Sequence, residues 1–238
     1  MAALPMARRI AWCRDAPQRH ANEEAALTLE TVAVGGLFAV AGALAERLAS
    51  VWPADEAVGR SFGLCTILLA VVSGVAAAAI AARSELPWWA TRVHLVLLAL
   101  MLVLTATDLE QRRLPHLVLD PLIVLAALFV PFNPAVEPLN ALIGAVAAVA
   151  FLGALALVVR GGLALGDLYL VAPIGLMLGW PATFTALFAA AFLAAGASLT
   201  LLALRRVGMR SYIPFGPFLV GGAALTLALG ADVLTVVR

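Results

Sequence analysis

The chain has 238 residues, of which 64% are hydrophobic and only 12% are charged, and its mean hydropathy is +1.05. This composition excludes a soluble globular domain and indicates an integral membrane protein. The net charge of +1 provides no attraction to polyanions, so we expect no nucleic-acid partner; two isolated cysteines, Cys13 and Cys65, support neither a disulfide framework nor a structural zinc site.

The N-terminal segment, residues 1–27, is too polar to enter a bilayer, because arginines and acidic residues are spread along it. We interpret it as a polar tail. The first apolar run begins near Leu29 and is followed by further apolar runs. This order favours an uncleaved membrane anchor over a signal peptide.

The rest of the chain alternates between long apolar runs and short breaks. A helix that crosses a bilayer needs about 20 apolar residues, and open backbone is not tolerated against lipid, so each run predicts a helix. The sequence therefore predicts an all-α, polytopic transmembrane helix bundle of about eight helices, within a range of six to eight. The candidate spans are 29–45, 61–82, 86–107, 115–131, 139–159, 167–181, 182–204 and 214–237.

Three of these runs contain stretches rich in Ala, Gly and Ser, at residues 71–82, 144–156 and 189–198. Small residues let membrane helices approach closely, so we interpret all three stretches as helix-packing faces. The two halves of the chain show no repeat, so an inverted-repeat transporter has no support.

Loop arginines indicate the orientation in the membrane. With eight spans, most of them lie in the connections after the first, third, fifth and seventh spans, including Arg112 and Arg113. This distribution favours a cytoplasmic position for those connections and an external N-terminus. The four arginines of the tail favour the reverse orientation, and a miscounted first span would resolve the conflict.

Two aspartates lie where an apolar run meets a break. A charged carboxylate at the centre of a membrane helix costs about 2.5–3.5 kcal/mol on insertion scales, so both residues need an explanation. Asp108 precedes Arg112 and fits a residue paired with arginine as well as a functional one. Asp167 follows Gly166 and has no basic residue closer than Arg160, which favours a functional role.

As a pair, the two carboxyl groups suggest acid–base chemistry. Two carboxyls that face each other across a small gap share a proton, so one can accept a proton from water while the other donates to a peptide carbonyl. No metal or cofactor is required for this chemistry, and we predict neither. The three histidines are scattered without a ligand spacing, and no phosphate loop or Gly-x-Ser-x-Gly motif is present.

Three short motifs are similar to those of a known family. The stretches are DLEQRRLP at 108–115, LGDL at 165–168 and IPFGPF at 213–218. With them the chain resembles the type IV prepilin peptidases, intramembrane aspartyl peptidases of the Gly-x-Gly-Asp type. The resemblance extends from about Leu86 to the C-terminus, which implies N-terminal transmembrane helices at 28–85 and a peptidase-like domain at 86–238.

The resemblance implies that Asp108 and Asp167 are catalytic and that Gly166 supports the site. It implies removal of the leader from a prepilin-like or pseudopilin-like precursor, of the type IV pilus or type II secretion kind. The reaction would occur at the cytoplasmic face of the bacterial inner membrane, with the bilayer around the enzyme.

The chain departs from the family pattern at three places. Ala164 stands where the family has glycine, which reduces backbone freedom, and Tyr169 stands where the family usually has lysine. In a regular helix Tyr169 points away from the pair, whereas Gly166 should not tolerate a side chain. The loop Glu46–Arg60 is short and has no cysteine, so we expect no methyl transfer.

Two alternatives remain open. One is a catalytically degenerate membrane protein that binds prepilin precursors without cutting them. The other is a small proton-coupled transporter, for which Asp120 and Asp232 would be the additional acids. We interpret Asp120 as a helix-end cap or an arginine partner.

Overall fold

The computed structural model describes residues 6–52, 63–158, 164–205 and 213–230, with side chains from Thr28 onward. This part of the chain contains eight α-helices and no strand, which confirms the predicted all-α class. The helices are α1 (Met6–Ala49), α2 (Leu64–Arg83), α3 (Trp88–Gln111), α4 (His116–Phe129), α5 (Pro138–Val158), α6 (Leu165–Leu178), α7 (Ala182–Ala203) and α8 (Gly216–Leu229).

Five of the described helices are long and apolar enough to cross a membrane, as expected for a multi-pass membrane protein. In α1 only the part from Thr28 to Ala49 qualifies. The apolar helices α6 and α8 are shorter, as is α4 together with the 3-10 turn Val130–Phe132 that follows it. Prolines precede the first residues of α3, α4 and α7, as expected where a chain leaves one helix and starts another.

Glycines bring neighbouring helices into backbone contact. A Cβ on Gly74 of α2 would lie 2.8 Å from the carbonyl oxygen of Gly35 in α1. A Cβ on Gly175 of α6 would lie 2.6 Å from the backbone nitrogen of Ala145 in α5. Such separations are possible only because these glycines have no side chain.

The packing-face prediction is confirmed for the first two stretches, which contain Gly74 and Gly144. It is wrong for most of residues 189–198 of α7, where Ala190 is buried but the following residues are mainly exposed. A Cβ on Gly196 would meet no atom within 4 Å. Small size permits close packing but does not reveal which face a helix turns inward.

The alternating helix directions give the bundle two ends. At one end lie the last residues of α1 and α3 and the first residues of α4, α6 and α8, and Gln111 Nε2 donates a hydrogen bond to the Ala49 carbonyl oxygen. At the other end is a cavity of about 430 Å³, lined by the α2–α3 and α6–α7 connections and by His94. Buried Leu97, Met101 and Leu104 of α3 fill the interior between the two ends.

Candidate active site

Asp108 lies in the last turn of α3. Its side chain is buried, with 7% of its surface exposed. The helix stops three residues later, because Arg112 adopts a left-handed conformation with φ of 53° and its N–H caps the Asp108 carbonyl oxygen at 2.9 Å. Pro115 follows as the residue before α4, so the first motif marks the border between the two helices.

Asp167 lies in the first turn of α6 and is 1% exposed. Its Oδ2 accepts a hydrogen bond from the backbone N–H of Ala164, the N-cap residue, at 3.2 Å. A carboxylate that reaches back to the N-cap N–H satisfies one of the free donors at the helix start. The hydrogen bond from Ala164 therefore holds Oδ2 of Asp167 in place, whereas Oδ1 can interact with other groups.

Gly216, the first residue of α8, lies close to the carboxyls of both aspartates. A Cβ built on Gly216 would lie 2.6 Å from Asp108 Oδ2 and 3.7 Å from Asp167 Oδ1. The distance between Asp108 Oδ2 and Asp167 Oδ1 therefore cannot exceed the sum of these two distances. The structure brings together the two residues that the sequence singles out, from helices separated by more than fifty residues of chain.

The carboxyl oxygen Oδ2 of Asp108 has no hydrogen-bond partner among the described residues. A buried polar atom without a partner is rare in native structures and marks a position where a polar group can be taken up. In the described part of the chain, no group of three His, Cys, Asp or Glu residues is arranged to hold a metal ion.

Gly166 lies against the connection between α3 and α4. A Cβ at this position would meet Leu114 Cδ1 at 2.7 Å and Leu114 Cβ at 3.3 Å. The sequence predicts that a glycine here lets another segment come close, and Leu114 is that neighbour. The supporting role of Gly166 in the site stays a prediction.

Ala164 and Tyr169 flank this turn. Ala164 has φ of −82° and ψ of 149°, an extended conformation that any residue adopts, so the position requires no glycine. Tyr169 is 51% exposed, whereas Asp167 is buried, so the tyrosine side chain lies on the outer face of α6. Its ring contacts the His116 ring edge to face, with 5.6 Å between centroids.

The interpretation of Asp120 is wrong. Asp120 lies one turn inside α4 rather than at a helix end, its Oδ1 is 3.1 Å from His116 Nδ1, and it pairs with no arginine that the structure describes. Both side chains are largely exposed. This contact joins two residues four apart on one helix, a spacing that places side chains on the same face. Asp232 lies outside the described residues, as do residues 53–60 of the Glu46–Arg60 loop.

The place of Gly216 in the site was not predicted from the sequence. The motif IPFGPF is visible in the sequence, and Pro217 after the glycine predicts a helix start. The motif does not reveal that the glycine faces an aspartate more than one hundred residues earlier in the chain.

Comparison with known proteins shows a similarity to one family over this part of the chain. Residues 95–199 match the type IV leader peptidase family, a segment that contains both aspartates. A prepilin leader peptidase/N-methyltransferase of Aeromonas salmonicida (strain A449) is 30% identical over 184 residues, which cover 75% of this chain and 62% of the relative.

Two further relatives carry the same name. The protein of Burkholderia pseudomallei (strain K96243) is 36% identical over 141 residues, or 56% of this chain and 45% of the relative. The protein of Bacillus subtilis (strain 168) is 27% identical over 147 residues, or 59% of this chain and 56% of the relative. The chain thus spans less than two thirds of the length of these relatives.

No solved structure matches the chain. The matched segment begins within α3 and ends within α7, so it includes the first two motifs and both helix ends that position the aspartates. Residues 95–199 are therefore similar to the type IV leader peptidase family, and a larger part of the chain is similar to proteins named prepilin leader peptidase/N-methyltransferase.

Proposed function

We propose that this protein is an intramembrane aspartyl endopeptidase that removes the leader of prepilin-like or pseudopilin-like precursors. The closeness of two buried carboxyls, Asp108 and Asp167, on either side of Gly216 carries this assignment. The family of residues 95–199 supports the reaction class, peptide hydrolysis, and the names of the relatives support the kind of substrate.

The helix ends suggest a role for each aspartate. Asp167 lies at the N-terminus of α6, where the helix dipole favours negative charge, and it accepts a backbone hydrogen bond from Ala164. Asp108 lies at the C-terminal end of α3, where the dipole opposes negative charge. We therefore assign the general base to Asp167 and the general acid to Asp108.

Hydrolysis then proceeds in two steps. The Asp167 carboxylate accepts a proton from a water molecule as the water oxygen bonds to the scissile carbonyl carbon, and Asp108 donates its proton to the carbonyl oxygen. In the second step Asp167 passes its proton to the leaving nitrogen as the carbon–nitrogen bond breaks. Asp108 recovers a proton from the collapsing hydroxyl, so the products are a carboxylic acid and an amine.

The Arg-rich connections favour a cytoplasmic position for the end of the bundle that contains the pair. A precursor with a basic leader and an apolar helix would then be cut at the cytoplasmic face of the inner membrane.

The exposed pair His116–Asp120 gives the transporter alternative little support, because acids in a proton path face the bundle interior.

The test is to replace each aspartate by asparagine. We expect Asp108→Asn and Asp167→Asn each to lower the kcat of leader cleavage by about 100- to 10,000-fold, because each removes one proton-transfer group. Cleavage is measured with purified protein and a prepilin precursor, and precursor binding is measured alongside. If either asparagine variant cuts at the wild-type rate, the aspartyl assignment fails. If the wild-type protein binds the precursor without cutting it, the degenerate alternative is correct.

A further inference from the structure

Gly216 presents a bare Cα to the carboxyl of Asp108. A Cβ at this position would lie 2.6 Å from Asp108 Oδ2, closer than non-bonded atoms approach. The contact atom is the end of a short, buried side chain, 7% exposed, rather than a flexible surface group. A side chain at position 216 would therefore displace the carboxyl or the start of α8.

The start of α8 has little freedom to move away. Leu219 and Ala223, on the same helix, are buried at 1% and 0% exposure. A Cβ at Gly222 would lie 2.9 Å from the backbone nitrogen of Ala190, so α8 is in direct backbone contact with α7. Because α8 is held along its length, the Asp108 carboxyl is the group that must yield.

The carboxyl that would be displaced rests against the start of α8. Asp108 Oδ2 is buried and has no partner in hydrogen-bond geometry among the described residues, and the backbone N–H of Gly216 interacts with this carboxyl. Asp167 differs, because the Ala164 N–H holds its Oδ2 at 3.2 Å. The separation of the two carboxyls thus depends on the start of α8, against which the Asp108 carboxyl packs.

We propose that Gly216 is a positioning residue, whose missing side chain sets the separation between the Asp108 and Asp167 carboxyls. This inference rests on the proposed peptidase function. A shift of about 1 Å in a catalytic group can cost on the order of 100-fold in rate, so the added methyl group of alanine is a sufficient perturbation.

The experiment measures leader cleavage by Gly216→Ala in purified protein, with kcat and KM determined over a range of pH. We expect kcat to fall about 100-fold while KM stays within about twofold of wild type, because the precursor contacts are retained. We also expect the pH profile of kcat to move, because the coupled titration of two carboxyls depends on their separation.

Two other glycines of α8 serve as controls. A Cβ on Gly221 would meet only Leu193 Cδ1, at 3.4 Å, so Gly221→Ala should behave like wild type. A Cβ on Gly222 would overlap the Ala186 carbonyl oxygen rather than the Asp108 carboxyl, so Gly222→Ala should lower the Tm by the same amount in the wild-type and Asp108→Ala backgrounds.

A stability measurement tests the contact without reference to activity. If the alanine methyl strikes the Asp108 carboxyl, Gly216→Ala lowers the Tm of the wild-type protein but has little effect in an Asp108→Ala background, where the carboxyl is gone. Double-mutant cycles of this kind isolate the interaction between two residues.

These outcomes distinguish a failure of the positioning role of Gly216 from a failure of the proposed peptidase function. A Gly216→Ala protein with wild-type kcat and pH profile overturns the positioning role, as does a Tm loss that is the same in the Asp108→Ala background. If this happens while Asp108→Asn and Asp167→Asn are inactive, only the inference fails. If the asparagine variants cut the precursor, the proposed function fails first.

Discussion

Gly166 lies immediately before Asp167 and packs against Leu114, so it links the second aspartate to the border of α3 and α4. A Cβ here would meet three Leu114 side-chain carbons closely, Cδ1 at 2.7 Å and both Cβ and Cγ at 3.3 Å. The two extra methyl groups of valine would enlarge that overlap and push the first turn of α6 away. We expect Gly166→Val to lower the kcat of leader cleavage by at least about 100-fold, measured on protein that is still inserted in the membrane.

Tyr169→Phe is the matched control for that substitution, since it lies on the same helix but on its exposed face. Phenylalanine keeps the ring that contacts His116, so most of the activity should remain. If Gly166→Val cuts normally, the supporting role of Gly166 is wrong. If Tyr169→Phe is inactive, the phenol has a role in the reaction that its exposed position does not suggest.

At this scale the sequence predicts the aspartates but not their surroundings. Asp108 and Asp167 stand out because a carboxylate at the border of an apolar run is costly and needs a reason. The roles of Gly216 and Leu114 could not be predicted, because each depends on a contact between segments that are distant in the sequence. The consequence of Ala164 could not be predicted either, because it depends on a backbone conformation that proved to be ordinary.

At the scale of single helices, the crossing of α5 and α6 holds the helix that carries Asp167. A Cβ on Gly175 would lie 2.6 Å from the Ala145 nitrogen and 2.9 Å from the Gly144 carbonyl carbon. These are backbone atoms, which cannot rotate away as a side chain can. We expect Gly175→Leu to destabilise the protein by about 1–3 kcal/mol or more, measured as a loss of Tm in detergent.

Gly196→Leu in α7 is the control for this prediction, because a Cβ there meets nothing within 4 Å. It should leave the Tm near that of wild type. If Gly175→Leu and Gly196→Leu lower the Tm equally, leucine is poorly tolerated at glycine positions in general. The α5–α6 crossing would then not be especially tight.

The number and class of helices were predictable because the bilayer imposes both the length of an apolar run and the need for internal hydrogen bonds. Which face of each helix is buried was less predictable. Residues 144–156 and 189–198 are similar in composition, yet in the second stretch close packing is confined to Ala190, which contacts Gly222, and most of the following residues are exposed. Both runs are apolar on every side, so no periodicity distinguishes the lipid face from the packed face.

At the scale of the whole molecule, the orientation in the membrane is open to a direct test. Arg113 is exposed at the end of the bundle that contains the aspartates, and Glu85 is exposed beside the cavity at the opposite end. In a cysteine-free background, we expect Arg113→Cys to react with a membrane-impermeant thiol reagent only from the cytoplasm. Glu85→Cys should react only from outside, because loop arginines favour the cytoplasmic side.

Labelling of both positions from the expected sides would agree with leader cleavage at the cytoplasmic face. Labelling of Arg113→Cys from outside would contradict it, since the aspartate pair would then lie on the wrong side for the basic leader. Labelling of both positions from one side would mean that α3 does not cross the bilayer.

The short helices α6 and α8 have a consequence for the lipid around the protein. Each has 14 residues, which at 1.5 Å per residue is about 21 Å, whereas the hydrocarbon core of a bilayer is about 30 Å thick. Both helices begin beside the aspartate pair. Much of each helix is buried in the protein, and where exposed residues such as Leu165 and Leu229 border lipid, hydrophobic mismatch favours local thinning of the membrane. The thinner bilayer would bring the aqueous boundary toward residues buried in protein, so water for hydrolysis would travel a shorter distance than the depth of an undisturbed leaflet.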